Sequence, residues 1–192
     1  MSKSQLVRIV GFAGSARDAS FNKKLTRAML SACEALGAAT TFVDLRDYPL
    51  PLYDGDLEAR DGLPPNAVAL REILLDHDAL VVSSPEYNGC IPALLKNTLD
   101  WISRSPEASP DLSPYQGKFA AIMATSPGPL GGLRGLGNVR ELLTNLGVNV
   151  LASQIALRAA HQEFGADGTL EKEASQGKVD RLARELAQIL RV

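Results

Sequence analysis

A chain of 192 residues, 45% hydrophobic and 22% charged, is long enough to bury a core without disulfide or metal staples and too apolar to be disordered. Twenty Lys and Arg against 22 Asp and Glu leave a net charge of −2, which excludes a basic field for nucleic acid and any tail of like charge. The two cysteines, Cys33 and Cys90, make no disulfide framework and fit a reducing compartment.

In chain order, residues 6–12 form a short apolar run broken by Arg8 and closed by a glycine turn, which suits a strand and not the core of a signal peptide. Residues 22–36 place Leu25, Ala28, Met29, Ala32, Cys33 and Leu36 on one helical face, with Gly37 as a stop. A second strand covers residues 40–45. Residues 47–65, rich in Pro, Asp and Gly, read as a long loop. A short helix over 68–76 and a third strand, Ala79–Ser83, follow. A helix over 93–103 contains the only tryptophan, Trp101, and residues 106–116 are another loop. A fourth strand is expected over Phe119–Thr125, a helix over 139–146, a fifth strand over 148–153 and an amphipathic helix over 172–190. No run of ~18 apolar residues is present to span a membrane, and there is no Asn-x-Ser/Thr acceptor. We expect a soluble, cytoplasmic protein with no membrane or nucleic-acid partner.

Strand alternating with helix five times implies parallel strands joined by right-handed crossovers. Strands apolar on both faces imply a sheet covered on both sides. The expectation is one α/β domain over residues 1–192, a three-layer sandwich, with no repeat or linker dividing it.

Ligands of an open α/β sheet bind beyond the carboxyl ends of its strands, and three unusual segments lie at such ends. Gly14-Ser-Ala-Arg-Asp-Ala-Ser-Phe-Asn22 follows the first strand. Gly14 permits a turn, Ser15, Ser20 and Asn22 are small polar donors, and the coming helix aims free N–H groups at the loop. Arg17, Lys23, Lys24 and Arg27 stand against Asp18 alone, a pattern suited to one phosphate group. It also suits an ordinary loop capped by Ser20 or Asn22. Neither the nucleotide P-loop nor the dinucleotide Gly-x-Gly-x-x-Gly pattern is present. Ser83-Ser-Pro-Glu-Tyr-Asn-Gly-Cys-Ile-Pro92 follows the third strand: prolines stiffen both ends, Gly89 allows an unusual turn, and Tyr87 offers a stacking face. The alternative is a tight strand-to-helix connection. The segment from Thr125 to Gly137 holds five glycines, which let backbone approach a flat ligand or simply make a flexible connection. In a sheet ordered 2-1-3-4-5 the three ends line one rim. Phosphate at the first loop and a planar ring between the other two is how such an architecture holds flavin mononucleotide (FMN).

The first segment and Pro85-Glu-Tyr-Asn-Gly89 together resemble the NADPH-dependent FMN reductase family, flavodoxin-like proteins that include quinone, chromate and azo-dye reductases. Ser-Pro-Gly-Pro-Leu-Gly-Gly over residues 126–132 resembles the chromate and quinone reductase branch. The resemblance implies a flavodoxin-like fold with a five-stranded parallel sheet ordered 2-1-3-4-5. It implies that Ser15, Arg17, Ser20 and Asn22 hold the FMN phosphate, with Phe21 beside the ribityl chain. Pro85, Glu86, Tyr87 and Asn88 would bracket the isoalloxazine, and Ser126 and Gly128 would close its other side. Hydride from NADPH or NADH would pass to flavin N5, then to a quinone, flavin, chromate or azo acceptor in the same space, with no protein acid or base required. A homodimer or homotetramer is also implied. The alternatives are a flavodoxin-type electron-transfer protein without direct NAD(P)H reactivity and a non-redox regulator that keeps the fold.

Other chemistry-bearing residues receive structural readings. Cys33 lies on an apolar helix face, and neither cysteine begins a Cys-x5-Arg loop. His77 and His161 have no second ligand at helical spacing, so no metal site is expected. Asp44, Asp47, Asp54, Asp56, Glu58 and Asp61 read as a solvated loop. Trp101 and Ile102 either pack in the core or face a partner chain.

Overall fold

The computed structural model describes residues 6–192. Its elements are β1 (Arg8–Ala13), α1 (Phe21–Glu34), β2 (Ala39–Val43), α2 (Gly55–Asp61), α3 (Pro65–Leu75), β3 (Ala79–Ser83), α4 (Ala93–Ile102), β4 (Phe119–Thr125), α5 (Leu133–Asn145), β5 (Asn149–Leu157) and α6 (Glu173–Leu190). All neighbouring strands pair parallel in the order β2-β1-β3-β4-β5, as the flavodoxin-like resemblance implied. β3 and β4 keep their expected bounds.

Alternate residues of each strand enter opposite cores, which is why the central strands read as unbroken apolar runs. Val10, Phe12, Leu80, Val82, Ala120 and Ile122 meet Leu70 and Leu74 of α3, Leu95 and Leu99 of α4, and Leu136 and Val139 of α5. Ile9, Ala79, Val81, Ala121 and Met123 meet Leu25 and Met29 of α1 and Val179, Leu182 and Leu186 of α6. Trp101 is fully buried within its own chain. Its indole N–H donates to Pro51 O at 2.8 Å, and its ring meets Tyr53 edge-on at 5.0 Å, so the core reading of this residue holds.

Four expectations change. The segment 47–65 is not structureless: it contains α2, capped by Asp54, whose carboxylate accepts from Asp56 N at 2.9 Å, and ended by Gly62 at φ +75°. Nor are all its carboxylates solvated. Glu58 is buried and accepts from Arg104 Nε at 2.8 Å and from the Tyr53 hydroxyl at 3.0 Å. α5 begins at Leu133, inside the glycine-rich segment, because tertiary contacts outweigh the low helix propensity of glycine. β5 runs past the polar Ser153-Gln154 pair to Leu157. A bulge explains this: β5 advances from Val150 to Gln154 while β4 advances only from Ala120 to Ile122, after which Ile155 and Leu157 return to the core.

Candidate functional site

The strand order sets the carboxyl ends of β1, β3 and β4 side by side. Gly14 N donates to Ser83 O at 2.9 Å, Ser84 N to Met123 O at 2.8 Å and Ser126 N to Leu157 O at 3.1 Å. The three connections therefore leave one rim together. They enclose a hollow of about 140 Å³ lined by Ser15, Arg17, Ser20, Phe21 and Asn22, by Pro85, Glu86 and Tyr87, and by Thr125, Ser126 and Pro127. Of the residues that the family resemblance assigned to the cofactor, Asn88 and Gly128 alone lie outside this lining. Thr125 and Pro127 belong to it and were not singled out, although they flank Ser126 in the same motif. The hollow is smaller than the ~300–1,000 Å³ of enclosed ligand pockets, so a ligand here keeps a face open.

At the first loop, Ser20 caps α1, its hydroxyl oxygen accepting from Lys23 N at 3.4 Å, and the Ser15 hydroxyl oxygen accepts from Arg17 N at 3.4 Å. Both hydroxyls act as acceptors in these bonds, so their protons stay free for an anion. With the Arg17 guanidinium and the first N–H groups of α1, they form a donor set that fits a phosphate monoester. The cap reading and the phosphate reading of Ser20 are compatible. Gly14 answers to space rather than to a left-handed turn, since a Cβ there would stand 3.0 Å from Leu95 Cβ.

Two residues of this segment behave differently from expectation. Asn22 is buried, and its carboxamide is committed: Nδ2 donates to Thr125 O at 3.0 Å, while Oδ1 accepts from Ser83 Oγ at 2.9 Å and Thr125 N at 3.0 Å. What Asn22 can offer an anion is its backbone N–H. The positive charge is also dispersed. Lys23 pairs with Asp44 at 2.7 Å, and Asp18 pairs with Arg46. Lys24 lies over Phe21 and Phe164, and Arg27 stacks 3.6 Å from the Phe42 ring centre. Lys24 and Arg27 line a different hollow, about 620 Å³, between α1 and α6. Arg17 is the cation of this segment that lines the rim hollow.

At the second loop, Tyr87 and Cys90 exchange backbone hydrogen bonds at 3.0 and 3.1 Å around Asn88 at φ +54° and Gly89 at φ +83°. Two positive φ values in a two-residue turn are the type I′ pattern, the one Asn-Gly favours. The turn leaves Tyr87 half exposed at the rim. Glu86 turns to the third connection, accepting from Arg134 N at 3.1 Å, Gly135 N at 3.2 Å and Arg134 Nε at 2.7 Å. The Arg134 guanidinium holds the Glu86 carboxyl below the usual carboxylate range.

The glycines of the third connection serve chain packing. A Cβ at Gly131 (φ +63°) would stand 2.7 Å from the Leu157 carbonyl carbon, and one at Gly132 (φ +86°) 2.8 Å from Ala124 Cβ. They let α5 enter close to β4 and β5, leaving Gly128 as the open glycine nearest the hollow. Burial pushes the Cys33 thiol up to about 12. His77 is held between Ile73 O and the Thr41 hydroxyl at 2.6 and 2.8 Å, and burial pushes its pKa down. Among the described residues no group of three His, Cys, Asp or Glu side chains could hold a metal ion, and no helix is long and apolar enough to cross a membrane.

Residues 7–162 match the family model for NADPH-dependent FMN reductases. The chain is 34% identical to an NAD(P)H-dependent FMN reductase of Pseudomonas aeruginosa, covering 95% of this chain and 90% of that one. It is 31% identical to a quinone reductase of Escherichia coli, covering 95% and 93%. With an NADPH:quinone oxidoreductase of Arabidopsis thaliana it shares 33% identity over 94% and 90% of the chains. Among solved structures, an NAD(P)H:(acceptor) flavoenzyme of Paracoccus denitrificans superposes with a TM-score of 0.78 at 26% identity, over 95% of this chain and 98% of that one.

Proposed function

Because this chain belongs to the NADPH-dependent FMN reductase family, and is accordingly an FMN-dependent NAD(P)H oxidoreductase, we propose that the rim hollow is its cofactor site and that a quinone is its second substrate. The observation that carries the site is the convergence of a phosphate-type donor set and two stiff loops on one hollow. Ser15, Arg17, Ser20 and the N-terminal N–H groups of α1, including that of Asn22, hold the FMN phosphate, with Phe21 beside the ribityl chain. Pro85, Glu86, Tyr87 and the Asn88 turn form one wall of the isoalloxazine slot. Ser126 and Gly128, with Thr125 and Pro127, form the other.

Bound FMN supplies the hydride and electron transfer. The chain contributes binding, orientation and an open face that two substrates use in turn. The relatives at 31% and 33% identity are named for quinones, which supports quinone over chromate or azo acceptors. Tyr87 of the lining is half exposed, as are Leu130 and Leu133 of the segment that follows Ser126 and Pro127. Such a patch on a shallow site supports a homodimer or homotetramer in which a second copy deepens it. We place the protein in the cytoplasm, with residues 1–192 acting as one FMN-binding unit.

The test is an absorbance spectrum of the FMN-reconstituted protein before and after anaerobic NADPH, then after 1,4-benzoquinone. Flavin bands that bleach and then return are expected. Bands that neither NADPH nor NADH bleaches would replace the reductase with an electron carrier. No retained flavin would reduce the first loop to a helix cap.

A further inference from the structure

α5 begins without a cap of its own, since Gly132 precedes it and supplies no side chain. The cap comes from another loop. The first N–H of α5, that of Leu133, donates to Leu130 O at 3.1 Å; Glu86 accepts from the next two, those of Arg134 and Gly135, at 3.1 and 3.2 Å, and from the Arg134 guanidinium at 2.7 and 2.5 Å. The Glu86 side chain is 8% exposed, whereas that of Arg134 is 64% exposed. A Cβ on Gly135 would stand 3.4 Å from Glu86 Cβ, so the first turn of α5 lies directly against this loop. Anion and helix N-terminus are matched electrostatically. The two segments so joined both line the hollow, Pro85 to Tyr87 from one and Ser126 and Pro127 from the other.

We propose that Glu86 is a positioning residue that sets the width of the isoalloxazine slot by clamping the 126–132 connection, through α5, to the 84–90 loop. This rests on the cofactor reading above. The clamp acts at the α5 end of the connection, while Ser126 N on Leu157 O at 3.1 Å holds its other end. Removing the carboxylate leaves two helix N–H groups without an acceptor and takes away the side-chain tie between the two loops, so that the connection is held only by its packing on β4 and β5. The loss falls on how tightly the slot holds a planar ring and how well the second substrate stacks in it.

The experiment compares the full-length wild-type protein with Glu86→Ala, Glu86→Gln and Arg134→Ala. It measures FMN dissociation by flavin fluorescence, apoprotein Tm, and kcat and KM with NADPH and 1,4-benzoquinone at saturating FMN. We expect Glu86→Ala to raise the FMN Kd at least tenfold and the quinone KM severalfold. Glu86→Gln should recover most of both, because an amide oxygen still accepts from the helix. Arg134→Ala should fall between, about threefold, because the backbone bonds remain. A lowered Tm with FMN Kd and quinone KM unchanged would make the contact merely structural and overturn the proposal. If Glu86→Ala does not fold, the other two variants decide by the same readouts. Failure of the cofactor reading looks different: the wild-type protein itself would not retain FMN, and the proposal would fall with it.

Discussion

Asn22 joins α1 to two strands with one carboxamide, through Ser83 and both backbone groups of Thr125. Asn22→Ala would leave a hydroxyl, an N–H and a C=O buried without their partner, at about 2–3 kcal/mol. The urea midpoint should fall accordingly, and FMN affinity should weaken through displacement of β4's end. Arg17 is its opposite, an exposed side chain with no ion pair among the described residues. Arg17→Ala should leave the urea midpoint unchanged within ~0.5 kcal/mol. It should raise the FMN Kd about tenfold or more, as expected for one charge-assisted bond to phosphate. Equal effects on stability and affinity in both variants would contradict this division. Both residues stand in one motif, and sequence alone assigned both to the phosphate. Asn22's true partners are 61 and 103 residues away, beyond the reach of any local pattern.

At the scale of elements, α2 is held by one buried ion pair. Arg104 holds the Glu58 carboxyl below the usual carboxylate range, with help from the Tyr53 hydroxyl. A carboxyl lowered on folding contributes stability that is fully present above its unfolded pKa, near 4.5, and is lost as pH falls through the lower folded value. Glu58→Gln should therefore lower Tm at pH 7, about 3 kcal/mol for half of a buried pair. The gap to wild type should narrow as pH falls below about 4.5; a gap constant from pH 7 to 3 would exclude the ionised pair as its source. At the sheet edge, Arg140 of α5 donates to Leu151 O at 2.7 Å, Ala152 O at 3.3 Å and Gln154 Oε1 at 3.0 Å. It covers the bulge on an edge strand, where free carbonyls invite pairing with another chain. Arg140→Ala should cost about 1 kcal/mol and raise concentration-dependent light scattering. Unchanged scattering would mean that the bulge alone protects the edge. α2 and the end of β5 were hidden in the sequence for one reason: an acidic loop and a Ser-Gln pair look solvated until a distant Arg104 or a bulge gives them a place.

For the molecule as a whole, the shallow rim and its apolar border predict a mass of two or four times 20.5 kDa by light scattering at micromolar concentration. Tyr87→Arg with Leu130→Arg should shift it toward the monomer, and a monomeric wild type would remove the second copy from the site. The sequence by itself determined the class and order of the fold. Apolar runs with helical segments between them carry the parallel α/β pattern, and short-range signals such as Ser20, Asn88-Gly89 and Pro85 mark the rim loops, because caps, turns and periodicity are local physics. The paired motifs also determined the family. Only the tertiary structure decided which rim residues are free to meet a ligand. Lys23, Lys24, Arg27, Asn22 and Glu86 carry the right chemistry for a phosphate or a flavin, yet folding brings each within reach of a partner from another element. Such partners are set by the three-dimensional crossing of strands and helices, and a charge or amide satisfied there is not free to bond a ligand, however well its position in the chain suggests it.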